Sequence, residues 1–180
     1  MTLPAPRVTT IAVPREGLLP AALSRIDYSD AFELTLEMTP HPSLDAVAWA
    51  MLGTAPAWVI GLMRARNAVV GPLGLKVDLP EFQPQVEPLA AGGRVGIFRV
   101  IARSDDELLA GEDDRHLDFR IALRVRGDAS GCRVVLATAV RFNNWLGRAY
   151  FTPVAPMHRW IVPAMMRDGA RRLVTPSPSA

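Results

Sequence analysis

Alternation is the strongest signal along the chain. Between Asp27 and Glu37, Tyr28, Phe32, Leu34 and Leu36 fall on one side, and Ser29, Glu33 and Thr35 on the other. That period of two predicts a half-buried strand. From His116 to Arg126, Leu117, Phe119, Ile121, Leu123 and Val125 share a face, and residues 132–143 answer with Val134, Leu136, Thr138, Val140 and Phe142. The intervening Gly127-Asp128-Ala129-Ser130-Gly131 reads as a turn. If Arg126 pairs with Arg133, Leu117 meets Phe142, Phe119 meets Val140, Ile121 meets Thr138 and Leu123 meets Leu136. The opposite face then joins His116 to Asn143, Asp118 to Arg141 and Ala122 to Ala137. A slip of one residue mixes the faces and loses the Asp118–Arg141 pair. Further strands are predicted over 95–102 and 106–111, with a short one near 149–152.

Helical spacing shows in three places. Leu44, Val47, Ala48, Met51 and Leu52 form an i, i+3, i+4, i+7, i+8 stripe after Ser43, a good N-cap. Gly53 ends this helix. Thr54 caps a second, with Pro56 in its first turn, that runs to about Val70 before Gly71-Pro72. The last helix spans Pro156 to Arg172, with a stripe of Met157, Trp160, Ile161, Ala164 and Met165, and Pro163 is expected to kink it. Residues 76–93 hold Pro80, Pro84, Pro88 and Gly92-Gly93 and read as a long loop, of the kind that often serves as a pocket lid. Residues 1–25 read as an arm on the surface, 26–173 as one folded domain and 174–180 as a disordered tail.

An apolar sheet face of this extent has to be covered. The last helix and the helix pair over 43–70 are the candidates to do it. The fold class is therefore α+β. The order of elements is that of the helix-grip fold: a curved antiparallel sheet packed on a long C-terminal helix, with two short helices after the first strand and a cavity between sheet and helix.

Composition narrows the function. With 180 residues the chain can bury a full core as one domain. A net charge of +2 argues against a nucleic-acid binder. Nineteen of the twenty basic residues are Arg, with Lys76 the one Lys, which reads first as codon composition. The single Cys132 admits no internal disulfide, fits a reducing, cytoplasmic compartment, and reads as a small buried hydrophobe. The uncharged run Ala46–Met63 approaches span length, but Gly53 and Pro56 divide it into two core helices, so no membrane span is expected. No signal-peptide pattern opens the chain.

Candidate chemistry is sparse. The acidic cluster Asp105, Asp106, Glu107, Glu112, Asp113, Asp114 lacks calcium-loop spacing and reads as an exposed hairpin end. His41, His116 and His158 lack metal-ligand spacing, so no metal is expected. His158 and Tyr150 are candidates for a general acid–base pair; the plainer alternative has His158 bonding a neighbouring strand or loop and fixing the helix start. Asn143 and Asn144 are either oxyanion donors or ordinary turn residues. Arg64 and Arg66 either complement a helix dipole or meet a carboxylate, including Asp30. Trp145 is either an exposed contact or buried against the last helix. No dinucleotide fingerprint, phosphate loop, nucleophile elbow or zinc-protease motif is present, and no cofactor is expected.

Several segments resemble bacterial domain-of-unknown-function family 2867. They are Asp27-Tyr28-Ser29-Asp30-Ala31-Phe32, Leu62 to Asn67 with Gly74-Leu75-Lys76, Phe98 to Val100, Glu107 to Arg120, Asn143 to Tyr150, and Pro156-Met157-His158-Arg159. The resemblance covers residues 25–170 and is most specific over Glu107–Arg120. It implies a helix-grip domain akin to the START and polyketide-cyclase superfamily, and no established activity.

The expected function is a binding domain for a small, largely apolar molecule. Phe119, Ile121, Thr138, Val140 and Phe142 form one wall and Trp160, Ile161 and Met165 the other. Trp58 and Met63 close one end, and His158, Tyr150 and Arg66 supply the polar contacts. A cyclase- or dehydratase-type enzyme using the same cavity is the first alternative. The second is an interaction domain with a filled core that meets another protein through Trp145 or a sheet edge. A homodimer is compatible with all three.

Overall fold

The computed structural model describes residues 6–38, 40–70, 88–128 and 131–174, with the side chains of 63, 65–70 and 128 outside that description. Among the described residues, seven strands form one open, curved sheet in which every neighbouring pair is antiparallel. They are β1 (Val8–Thr10), β2 (Tyr28–Leu36), β3 (Arg94–Val95), β4 (Phe98–Arg103), β5 (Glu107–Asp113), β6 (Leu117–Asp128) and β7 (Gly131–Phe142), in spatial order β1-β2-β7-β6-β5-β4-β3. Helices α1 (Leu44–Leu52) and α2 (Ala57–Val70) follow β2, and α3 (Trp145–Val174) closes the chain.

The β6–β7 hairpin has the register expected from its two apolar faces. Leu117 stands opposite Phe142, Asp118 opposite Arg141, Ile121 opposite Thr138 and Arg126 opposite Arg133. The like-charged last pair is relieved sideways: Arg126 reaches Asp106 at 3.0 Å and Arg133 reaches Glu33 at 3.7 Å. α1 buries the predicted stripe of Leu44, Val47, Ala48, Met51 and Leu52, and Ser43 Oγ accepts from the Ala46 amide at 3.1 Å. Together with Leu34, Leu123, Val134, Leu136, Val162 and Met166 this stripe makes the main core on the inner face of the sheet. Cys132 belongs to the same core, where burial pushes its thiol pKa up and disfavours the reactive thiolate. The run Ala46–Met63 does divide at Gly53–Pro56. Among the described residues no helix is long and apolar enough to cross a membrane.

Several expectations change. Thr54 does not cap α2: its hydroxyl turns back to the Ala50 carbonyl, and the Pro56 carbonyl accepts from Val59 and Ile60 instead. The short strand near 149–152 is absent, because α3 starts eleven residues earlier than predicted, at Trp145 rather than Pro156. Asn144 causes the early start, its Oδ1 accepting from the Gly147 amide at 3.1 Å as an N-cap. α3 then runs through Pro153, Pro156 and Pro163. Glu107, expected in an exposed acidic turn, is buried. The part of the long loop before Pro88, and the tail after Val174, lie outside the described residues.

The N-terminal arm is more than a surface strand of chain. β1 extends the sheet beside β2, and Ile11 to Leu23 then cover its outer face. That face is made of Ala31, Leu109, Ala122, Ala137 and Ala139. Alanines there let a backbone come close, and Leu19 is only 2% exposed against them. Glu107 anchors the arm, accepting from the Leu18 amide at 3.1 Å and from Arg124 Nη2 at 2.7 Å. Gly17, at φ +99°, passes directly over this ion pair, where a Cβ would collide with both the guanidinium and the carboxylate. Gly17→Ala is therefore expected to cost more than about 1 kcal/mol, from strained φ and displacement of the pair. Urea unfolding checks this; an unchanged midpoint would mean the arm does not bear on the sheet.

Candidate functional site

Even-numbered residues of β2 face inward: Tyr28, Asp30, Phe32, Leu34 and Leu36. Asp30 is thus a carboxylate set in the apolar face. It stands opposite Thr138, and the same row continues through Ile121, Ala110 and Val100. α3 crosses above it and brings His158 Nδ1 to 3.0 Å from Asp30 Oδ2. The Tyr28 hydroxyl donates to that same oxygen at 2.7 Å. Asp30 Oδ1 and Thr138 Oγ1 are buried, and neither has a hydrogen-bond partner of ordinary geometry. No hydrogen bond among the described residues engages His158 Nε2.

The electrostatics follow from this placement. Burial is the largest single influence on Asp30 and pulls its pKa up. His158, Tyr28 and Thr138 together overcome it, and the carboxyl sits below its ordinary value. For Tyr28, burial first and the neighbouring Asp30 second push the phenol up to about 12. The site therefore holds an ionised carboxylate and a neutral phenol at neutral pH. Its flank is aromatic: Tyr28 meets the Phe151 ring at 4.8 Å between centroids, and Phe142 meets Phe151 at 5.5 Å.

The residues singled out from sequence divide. Ile121, Thr138 and Val140 are buried on the inner face, with Phe119 and Phe142 half-buried beside them. Ile161 and Met165 are half-buried on α3. Trp160 is not a wall residue, being 78% exposed on the outward side of α3. The buried stripe is Phe151, Val162, Met166, Gly169 and Ala170, turned away from the one predicted. Apolar residues occur all round this helix, so spacing did not identify the side that packs. Trp58 is 48% exposed and does not close the interior as expected. Met63 and Arg66 lie outside the described side chains.

His158 and Tyr150 do not form a pair. Eight residues along a helix separate them by about 12 Å. His158 instead bonds a strand residue from mid-helix rather than at the helix start. Tyr150 lies edge-on to His116 at 5.2 Å. The His116 ring is 97% buried (3% exposed), with Nδ1 3.5 Å from Asp114 Oδ1 and no hydrogen bond at either nitrogen. Asn143 and Asn144 serve the turn: their amides donate to the Asp114 and Arg115 carbonyls at 2.8 and 2.9 Å. Trp145 is exposed.

Asp30 was expected only as a possible partner of Arg64 or Arg66, whereas its observed partners are His158 and Tyr28. The signal was available, since a carboxylate interrupts the apolar parity of Tyr28, Phe32, Leu34 and Leu36. Thr138 interrupts the facing strand in the same way. Elsewhere, the outer face holds a crevice of about 10 Å³ lined by Glu16, Leu19, Glu107 and Arg124, room for one water. Among the described residues no group of three His, Cys, Asp or Glu could hold a metal ion.

The sheet, the helices and the cluster of Tyr28, Asp30, Thr138 and His158 define a class: an α+β domain with an acidic, histidine-paired spot on the inner face beneath its C-terminal helix. The family model described as "Protein of unknown function (DUF2867)" matches residues 22–165, and the chain belongs to that family. The matched span contains Tyr28, Asp30, Thr138 and His158. No curated protein matches the chain.

Proposed function

We propose that this domain binds a small, largely apolar molecule between the inner sheet face and α3, with a hydrogen-bond-donating group of that molecule turned toward Asp30. The observation that carries the reading is the ionised Asp30 carboxylate in an otherwise apolar row, its buried Oδ1 and the facing Thr138 Oγ1 making no hydrogen bond of ordinary geometry. A buried polar atom without a partner is costly, and such atoms call for an explanation. An incoming hydroxyl or ammonium would satisfy the carboxylate; a second carboxylate would be repelled. Phe119, Ile121, Val140 and Phe142 would supply one wall, Ile161 and Met165 the other. A helix-grip architecture in a bacterial cytoplasm belongs to the same reading.

Native mass spectrometry beside a denatured control tests it, followed by a thermal-shift panel of apolar alcohols, amines and acids. The expected result is a dissociable extra mass, or stabilisation by alcohols or amines in preference to acids. A bare mass together with no response across the panel would sink the proposal in favour of a filled core.

One arrangement favours an enzymatic second reading. A carboxylate on His158 Nδ1 orients the ring and leaves Nε2 as a proton acceptor. Turnover of a bound compound that is lost in His158→Gln, with binding retained, would support that reading over simple binding.

A further inference from the structure

The outward side of α3 carries a second feature, which borders the inner site where Arg159 approaches Tyr28. Trp145 is 80% exposed and Trp160 78%. Fifteen residues of helix place them about 22 Å apart. At 100° per residue, Trp145, Pro153, Pro156 and Trp160 lie within about 80° of one another, so they form one apolar ridge. Arg148 and Arg159 share a flank of that ridge, and both are exposed, with Arg148 lying over the Phe142 ring at 5.9 Å and Arg159 reaching toward the Tyr28 hydroxyl. Met157, 38% exposed, edges the other flank. No Asp or Glu occurs between Trp145 and Trp160.

Scattered apolar residues on a surface need no explanation, but aligned ones rimmed by charge mark a contact. Two features of this ridge choose the contact. Charge is the first. An antiparallel two-fold pairing of the same face would set Arg148 and Arg159 of one copy against those of the other, a like-charge contact. An anionic surface is attracted instead, and the helix N-terminus at Trp145 adds partial positive charge. Shape is the second. A single convex helix face presenting tryptophans and arginines matches the flat interfacial zone of a bilayer, where indole rings and guanidinium groups both settle.

We propose that the Trp145–Trp160 face of α3 docks the domain on an anionic phospholipid surface. The tryptophans enter the headgroup boundary, and Arg148 and Arg159 pair with lipid phosphates.

Co-sedimentation with phosphatidylcholine vesicles, with and without phosphatidylglycerol, tests this on the full chain. Binding is expected with phosphatidylglycerol, weak or absent without it, and diminished by salt. Trp145→Ser/Trp160→Ser is expected to weaken binding at least tenfold or so per tryptophan. Arg148→Gln/Arg159→Gln is expected to weaken it about fivefold per arginine. All four positions are exposed, and circular dichroism verifies that the variants fold. Lack of sedimentation with anionic vesicles overturns the proposal. So does equal binding to neutral vesicles, or native-like binding by the tryptophan variant. A vesicle-independent dimer that the tryptophan variant splits, or a soluble acidic protein that competes for the face without any lipid binding, would assign the ridge to a protein interface instead.

Discussion

His158→Ala is expected to cost about 2–3 kcal/mol of unfolding free energy, whereas Asp30→Leu/His158→Leu is expected to be as stable as the native chain or more so. The reason lies in what each change leaves behind. Removing His158 alone strands an ionised carboxylate whose side chain is only 10% exposed. The histidine itself is 19% exposed, which moderates the figure. Removing both groups instead extends the apolar row of Ile121, Ala110 and Val100. The carboxylate–histidine pair is thus expected to add little net stability. The double variant is accordingly expected to lose any ligand while keeping its fold.

The pH dependence has a definite sign. Asp30 is depressed in the folded state. Its contribution is therefore whole above its unfolded pKa, about 3.9, and is lost as pH falls through the folded value. Denaturation series from about pH 6 down to about pH 2 should give the native protein a steeper acid loss than the double variant. Tyr28 provides a second readout, being raised to about 12. Its share of stability is full below about 10, its unfolded value, and disappears as pH climbs toward the folded one. Taking Asp30 away should bring the ultraviolet titration of Tyr28 down, though burial, its largest influence, remains. Equal destabilisation by the single and double variants would make the pair a structural tie.

Asp118→Ala is expected to cost about 3 kcal/mol. The carboxylate is buried and pairs with Arg141, and it also accepts from Asn143 Nδ2 at 3.0 Å and from the Asp114 amide at 3.2 Å. Arg141 is a third exposed, so water can recover its charge. The loss comes mainly from the turn. Asn143 and Asn144 hold the Asp114 and Arg115 carbonyls, and Asn144 also caps α3. Loosening the turn should therefore raise hydrogen exchange both at residues 114–117 and in the first turn of α3. Asp118→Asn keeps an acceptor oxygen and should lose less. A change below about 0.5 kcal/mol for Asp118→Ala would put it among ordinary surface substitutions and refute this account.

The hairpin and α1 were legible because their signals are local. Two strands with opposed faces admit one register, and a capped stripe ending at glycine admits one helix. The α3 face was not legible, since Trp160, Ile161, Val162, Met165 and Met166 surround the helix with apolar groups. Only the approach of α1, with Gly169 lying against Ala50 and Met51, decides which of them is inside. The arm was illegible for a related reason. Its proline-rich sequence has no period, and its place depends on alanines of β2, β6 and β7, the last two strands being far away along the chain.

By itself the sequence determined the α+β class, the two-helix insertion and the pairing of β6 with β7, all consequences of patterns within about thirty residues. Tertiary structure alone decided that Asp30, Tyr28 and Thr138 meet His158. The sheet order β2-β7 sets Asp30 beside a strand more than a hundred residues later, and α3 crosses that junction only because its buried stripe must close the inner core. Periodicity reports which side of an element is apolar; which polar atoms then share that side is fixed by the packing of distant elements.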